Sequence, residues 1–419
     1  MQPEPCAVAL IGCARLADDV PDVIVIGAGV VGAATAHALS DAGAKVEILD
    51  AGPVCGGTSA VTFAVDITRV KTPRALFDLS VMSAREHEAL ALTLAGDPWR
   101  HRAAWLEWEH SERDRRRVRE GVRRLQAWGY PAEWVSRERA RELEPALALA
   151  LPAGEADEIA LYRDAAWYEP PVLARALLQR ARAQGASVHD HDPVMAIKTA
   201  GSRIVEVRTA AGRRVSADVI VDCAGPRAGE LATLAGVSLP LRRVPGLVVT
   251  TTPAPIGLRM IVSAADLHLR PHRGDRVVLH SWLLDGELEP GPEWPNAAAL
   301  AQRLLDRARG LVPALAHATV QSARVGVRPV PPDGLPIVGF LPGVSNLYAV
   351  VAHSAVHLAP ILGRLAAEEL TGSARARLEP FRPARLRSGD DGRDAQDEST
   401  RTMLAQIMAT TTQERAGAD

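Results

Sequence analysis

The chain has 419 residues, more than one hydrophobic core usually organises, so two domains with room for a ligand between them are expected. Hydrophobic residues make up 47% and charged residues 23%, a balance that excludes a disordered or fibrous protein. A formal net charge of -2 leaves no global field to hold nucleic acid or an anionic membrane, and points to small-molecule partners.

The basic complement is almost wholly arginine, with lysine only at Lys45, Lys71 and Lys198, and alanine is abundant, as in proteins of GC-rich bacteria. Cys6, Cys13, Cys55 and Cys223 form no CxxC pair, so neither a disulfide framework nor a metal site is expected, and a reducing cytoplasm fits. No stretch approaches the ~20 apolar residues of a membrane span. Residues 1–21 read as a disordered leader without a basic n-region, and 385–419 as a disordered tail rich in Ser, Gly, Asp, Arg and Thr.

The first element is the apolar run Val23-Ile24-Val25-Ile26, a strand buried on both faces of a parallel sheet. Gly27-Ala28-Gly29-Val30-Val31-Gly32 follows at once and fits GxGxxG, opening a helix through Ala42 that Gly43 ends. The first glycine allows the tight turn, the second admits a pyrophosphate to the backbone, and the third lets helix and strand pack closely. Lys45 to Asp50 reads as the second strand, and Asp50 falls where a carboxylate accepts hydrogen bonds from an adenosine ribose. NAD is the rival dinucleotide. FAD is favoured by Ala36, which extends the small face of the helix, and by the second glycine loop Gly56-Gly57-Thr58-Ser59.

Farther on, Val118, Val122, Leu125 and Trp128 place one apolar stripe on a helix otherwise covered by Arg and Glu. Its Arg115-Arg116-Arg117 run reads as a solvated face balanced by nearby glutamates. Pro170-Pro171 opens another helix, which Gly185 ends. Ile204 to Val207, the turn Ala211-Gly212, and Asp218 to Val221 read as a hairpin leading into Cys223-Ala224-Gly225. The stretch from Leu247 to Trp282 is β-rich and predicts a second, largely antiparallel sheet. On it His268 and Arg270, alternate residues, share one face toward a pocket or its rim. Trp105, Trp108, Trp134, Trp167 and Trp282 suit either an aromatic cage or core packing.

These segments, with Gly326-Val327-Arg328-Pro329-Val330-Pro331-Pro332-Asp333-Gly334-Leu335-Pro336-Ile337-Val338-Gly339 and Ala352-His353-Ser354-Ala355-Val356-His357-Leu358-Ala359-Pro360, resemble the D-amino-acid oxidase, glycine oxidase and sarcosine oxidase superfamily of flavoproteins. The resemblance covers about residues 22 to 375. It implies a fold that is α/β and α+β. A Rossmann-type FAD-binding domain (22–80, 170–236 and 325–376) is interleaved with a substrate domain (81–169 and 237–324) on a largely antiparallel sheet. It implies FAD, held noncovalently because no cysteine lies near the carboxy-terminal signature. The cofactor-binding residues would be Gly27, Ala28, Gly29, Val31, Gly32, Asp50, Ala51, Gly57, Thr58, Ser59, Val194, Ala224, Gly225, Gly334, Ser354 and Ala355.

The implied reaction is oxidation of a carbon–nitrogen bond in a small amine or amino acid, with oxygen or another acceptor. Oxidation of a 2-hydroxy acid, or a non-catalytic flavin-binding subunit, stays open at this stage. Arg328 would pair with a substrate carboxylate, or else form an ion pair with Asp333. His357 would contact substrate or pack behind it, and His353 would sit at the flavin edge. Three departures stand out: Ala352 and Ala355 replace glycines of the GHSG segment, no lysine follows Lys198, and the covalent-flavin cysteine has no counterpart.

Overall fold

The computed structural model describes residues 20–94, 96–148, 158–372 and 376–386. The leader (1–19) and the tail beyond 386 lie outside the described residues. Arg385, expected to open the tail, instead ends a short turn and pairs with Asp333 at 2.6 Å.

Three sheets organise the molecule. The first has six strands in the order Ile337–Phe340, Leu347–Val351, Val219–Asp222, Asp22–Ile26, Lys45–Leu49, Ser187–His189. All its pairs are parallel except that between Ile337–Phe340 and Leu347–Val351. Asp22–Ile26 lies at its centre, flanked on both edges, which is why it carries a continuous apolar run. The helices Val30–Asp41, Pro170–Ala183 and Ala355–Leu370 share one core with one face of this sheet.

The hairpin expectation needs correction. Val219–Asp222 does not pair with Arg203–Thr209 but enters the centre of the parallel sheet beside Asp22–Ile26. The hairpin is formed by Val194–Ala200 and Arg203–Thr209, and the Ala211-Gly212 turn leads only to the two-residue strand Arg214–Val215.

The second sheet has eight strands, from Val320–Val330 through Arg242–Thr251, Arg276–His280, Leu267–His272, Ile261–Ala264, Arg100–Trp108 and Ile159–Tyr168 to Glu133–Val135. It is antiparallel except where Arg100–Trp108 meets Ile261–Ala264. Two expected domain boundaries cut through elements: 80/81 falls inside the helix Arg74–Thr93, and 324/325 inside Val320–Val330.

Alternation along these strands does the positioning. Leu247, Val249, Leu267, Leu269, Val277 and Leu279 point to one face and pack with the helix Ala297–Leu311. Their neighbours Gly246, His268, His280, Gly326 and Arg328 are thereby delivered to the opposite face, where a cavity of about 1800 Å³ separates this sheet from the parallel one.

Gly363 marks the closest approach of helices Val30–Asp41 and Ala355–Leu370: a Cβ there would lie 2.6 Å from the carbonyl carbon of Ala34. Gly363→Ala is therefore expected to destabilise the protein by about 1–3 kcal/mol through overpacking. A urea midpoint unchanged from wild type would show that the helices can part without cost.

Candidate functional site

The dinucleotide turn is built by contacts that leave no room for side chains. Gly27 adopts φ +108°, and a Cβ on it would strike the Cys223 carbonyl. A Cβ on Gly32 would be driven into the carbonyl oxygen of Gly27. Gly32 and Ala28 thus shape the turn from behind, whereas Gly27, Gly29, Val31, Asp50, Ala51, Gly57, Thr58 and Ser59 line the cavity.

The helix Val30–Asp41 has no acidic residue in its first turn and no side-chain bond from its cap Gly29. Its amino end therefore offers backbone N–H groups and positive dipole to an anion. Ser59 Oγ accepts the Val30 N–H at 3.1 Å, and Thr58 Oγ1 donates to the Val327 carbonyl at 2.5 Å, tying the glycine loop to the strand that carries Arg328. Asp50 accepts from the N–H of Ala28 at 2.5 Å and of Gly52 at 2.8 Å. Burial raises its carboxyl above the usual range, against the pull of those two N–H groups. Val194, Ala224, Gly225, Gly334, Ser354 and Ala355 continue the lining, so the residues present suit a long dinucleotide.

Ala352 and Ala355 need no glycine. In the segment 352–355 only Ser354 takes a left-handed backbone, at φ +62°, capping the helix Ala355–Leu370. The methyl groups sit on ordinary backbone.

Arg328 also lines the cavity. Its partner is Asp285, 5% exposed, at 2.6 Å from Nη2, and not Asp333, which is held by Arg385. Arg328 also donates to the carbonyls of Val244 and Pro245, and its guanidinium lies 4.5 Å over the Trp282 ring. Opposite it, Gly246 makes the space: a Cβ there would come within 2.8 Å of the guanidinium carbon. Asp285 further accepts from Leu247 N–H at 2.7 Å and lies 3.0 Å from His280 Nε2. Burial opposes its charge, but Arg328, His280 and that N–H outweigh it and hold the carboxyl below its usual range.

His268 stacks beside His280, with ring centroids 5.7 Å apart, and meets Ser263 Oγ at 2.7 Å through Nδ1. Its Nε2 has no partner among the described residues, and burial keeps the ring neutral. Arg270, on the same strand face, does not reach the cavity. It is buried between Trp167 and Phe63, where desolvation lowers its guanidinium to about 9. Of the five tryptophans singled out in the sequence, Trp105 and Trp282 line the cavity, Trp108 and Trp167 are core, and Trp134 is exposed.

His353 lines the cavity with Nδ1 3.1 Å from Ser354 Oγ, and burial together with Lys71 and Arg328 keeps it neutral. His357 is 1% exposed and engaged on both nitrogens: Nε2 meets Thr68 Oγ1 and the Ser80 carbonyl, and Nδ1 lies 3.4 Å from Tyr168 Oη. It braces the wall rather than presenting a free nitrogen.

Sequence reading missed Lys71. Its ammonium lines the cavity and donates to Ser354 Oγ at 2.8 Å, and burial pushes it down to about 7 against the charge of Asp66. Also missed was Arg69, paired with Glu107 at 2.6 Å and lying 4.1 Å over Trp105. The only sequence signal was a lysine and an arginine inside the otherwise sparsely charged stretch before Pro73.

Among the described residues no cluster of His, Cys, Asp and Glu suits a metal ion, and no helix is long and apolar enough to cross a membrane.

Comparison with known proteins agrees with this architecture. The glycine oxidase of Bacillus licheniformis is 25% identical over 362 residues, 84% of this chain and 93% of that protein. The crystal structure of glycine oxidase from Geobacillus kaustophilus superposes with a TM-score of 0.79 at 26% identity, covering 88% of this chain and 99% of that one. L-proline dehydrogenase from P. horikoshii shares the fold, with a TM-score of 0.74 at 18% identity over 87% of this chain and 97% of its own. The family profile described as FAD dependent oxidoreductase matches residues 22–369. A match of that span places the chain in the FAD-dependent oxidoreductase family, as an enzyme that uses FAD.

Proposed function

We propose that the protein oxidises the carbon–nitrogen bond of a small amino acid, giving an imine that water hydrolyses to a carbonyl product. The observation that carries this reading is Arg328, a guanidinium that lines the cavity and is held over Trp282. Its Nη2 and Nε are occupied by Asp285, Val244 and Pro245, while Nη1 has no partner among the described residues and is available to a carboxylate.

FAD, when bound, supplies the hydride acceptor. The protein supplies position and electrostatics. Arg328 anchors the carboxylate, Asp285 keeps the guanidinium from turning away, and Trp282 and His268 wall the pocket. His353 is arranged to donate. If Ser354 accepts from Lys71 and gives its own hydroxyl proton to Nδ1 of His353, the ring proton sits on Nε2.

We assign the cofactor to the six-stranded layer and substrate recognition to the eight-stranded one. The setting we propose is the cytoplasm, in keeping with the free, buried Cys55 and Cys223.

Incubation with a panel of amino acids in air or with an artificial electron acceptor tests this. Ammonia, or a primary amine from an N-alkyl substrate, should appear in equal amount with a 2-oxo acid or aldehyde. Oxidation of 2-hydroxy acids with no turnover of any amine would overturn it.

A further inference from the structure

Lys71 has so far served only as a donor to Ser354. It follows the turn Thr68–Val70 and precedes the helix Arg74–Thr93, and it is 6% exposed. Among the described residues no carboxylate lies within salt-bridge distance of it. Asp66, the acidic group that acts on it, spends Oδ1 on the N–H and hydroxyl of Thr68 at 2.9 and 2.7 Å. The other groups facing it are the imidazoles of His353 and His357, and Arg328 also acts on the His353 ring.

An ammonium placed there gives up its water with only Asp66 to offset the loss, so burial brings it down to about 7 and a substantial share is neutral amine near neutral pH. A neutral lysine can donate one hydrogen to Ser354 Oγ and still hold a lone pair toward the cavity. His353 cannot do the same if its Nδ1 receives the Ser354 hydroxyl, for its second nitrogen then carries the proton. Arg328 and Lys71 therefore take different parts, the guanidinium as a fixed cation and the amine as a group that can take up a proton, and both act on His353.

We propose that Lys71 is the catalytic base that removes a proton from the ammonium group of the bound amino acid before its carbon–hydrogen bond breaks. One N–H bond of the substrate breaks and one forms at Nζ, leaving R–NH2 and Lys71–NH3+. The freed pair on the substrate nitrogen becomes the second bond of the imine as the hydride departs from carbon. Lys71 returns its proton to water after the product leaves. The assignment rests on the amine-oxidation reading above.

The test uses the flavin-loaded protein in two measurements. With lysine labelled at Cε and Nζ the protein gives three side-chain resonances, for Lys45, Lys71 and Lys198, and Lys71→Arg identifies the one of interest. It should titrate near 7, while a midpoint near the ordinary ~10.4 would overturn the proposal.

The rate of anaerobic flavin reduction at saturating amino acid is then followed against pH. Wild type should lose rate tenfold per pH unit below the Lys71 midpoint. Lys71→Met should lack that limb and, between the Lys71 midpoint and that of the substrate's own amino group, be slower by about 100-fold or more, the range of general-base effects. Its flavin content and Tm should match wild type, because methionine suits a buried site.

A Lys71→Met protein with the wild-type rate and the wild-type limb removes Lys71 as base and leaves amine oxidation standing. Failure of every amine to reduce wild-type flavin removes both.

Discussion

Gly32→Ala should yield a protein that purifies without flavin. The added Cβ would meet the backbone oxygen of Gly27, an atom that cannot rotate aside, so the helix Val30–Asp41 must shift from the strand Asp22–Ile26. That displaces the N–H groups and the Asp50–Ala28 bond that shape the phosphate turn. Overpacking of this kind costs about 1–3 kcal/mol by itself. Loss of a tightly bound cofactor lowers apparent stability further, by about 4 kcal/mol for a ligand present at 1,000 times its Kd. Gly43→Ala is the control. Gly43 has φ +85° with open space around it, so alanine there brings backbone strain of about 1 kcal/mol and no clash. It should keep its flavin. The ratio of visible to protein absorbance after gel filtration, with thermal unfolding with and without added FAD, separates the two variants.

Arg328→Lys should raise KM for amino acids about 30- to 700-fold while leaving flavin content unchanged. Lysine preserves the positive charge beside Asp285 but loses the fork that could meet Asp285 and a carboxylate together. Truncating one partner of a buried, hydrogen-bonded charge pair costs about 2–4 kcal/mol, which sets that range. Arg328→Ala is a poorer probe, because Asp285 would remain buried with only His280 and a backbone N–H. Steady-state kinetics on an amino acid and on the matching amine without its carboxylate decide the role. A KM that rises equally for both would make Arg328 structural.

Much of this architecture could be read in the sequence because its signals are local. The run Val23 to Ile26, the three glycines and Asp50 stand within thirty residues of one another, and the structure places them in one strand–turn–helix–strand unit. Alternation likewise put His268 on the cavity side of its sheet.

What failed was non-local. Val219–Asp222 reads as a hairpin strand from its neighbours, yet its partners are Asp22–Ile26 and Leu347–Val351, far away in the chain. Of the two readings of Arg328, the ion pair with Asp333, five residues on, does not form, because Arg385 holds Asp333 and a short helix brings Asp285 to the guanidinium. Lys71 is buried and bonds to Ser354, 283 residues on, and no pattern around it in the sequence announces that. Arg270 shares its strand face with His268, and still the packing of Phe63 and Trp167 closes it off from the cavity.

The central claim is that this cavity binds FAD and reduces it with an amino acid. Its most direct test is the visible spectrum of the purified protein, recorded without oxygen as amino acids, N-methyl amino acids and 2-hydroxy acids are added in turn. The account predicts a bound flavin whose visible band bleaches with an amine-bearing carboxylate and stays unchanged with its 2-hydroxy counterpart. A colourless protein that cannot be reconstituted with FAD, or a flavin bleached only by 2-hydroxy acids, would contradict it.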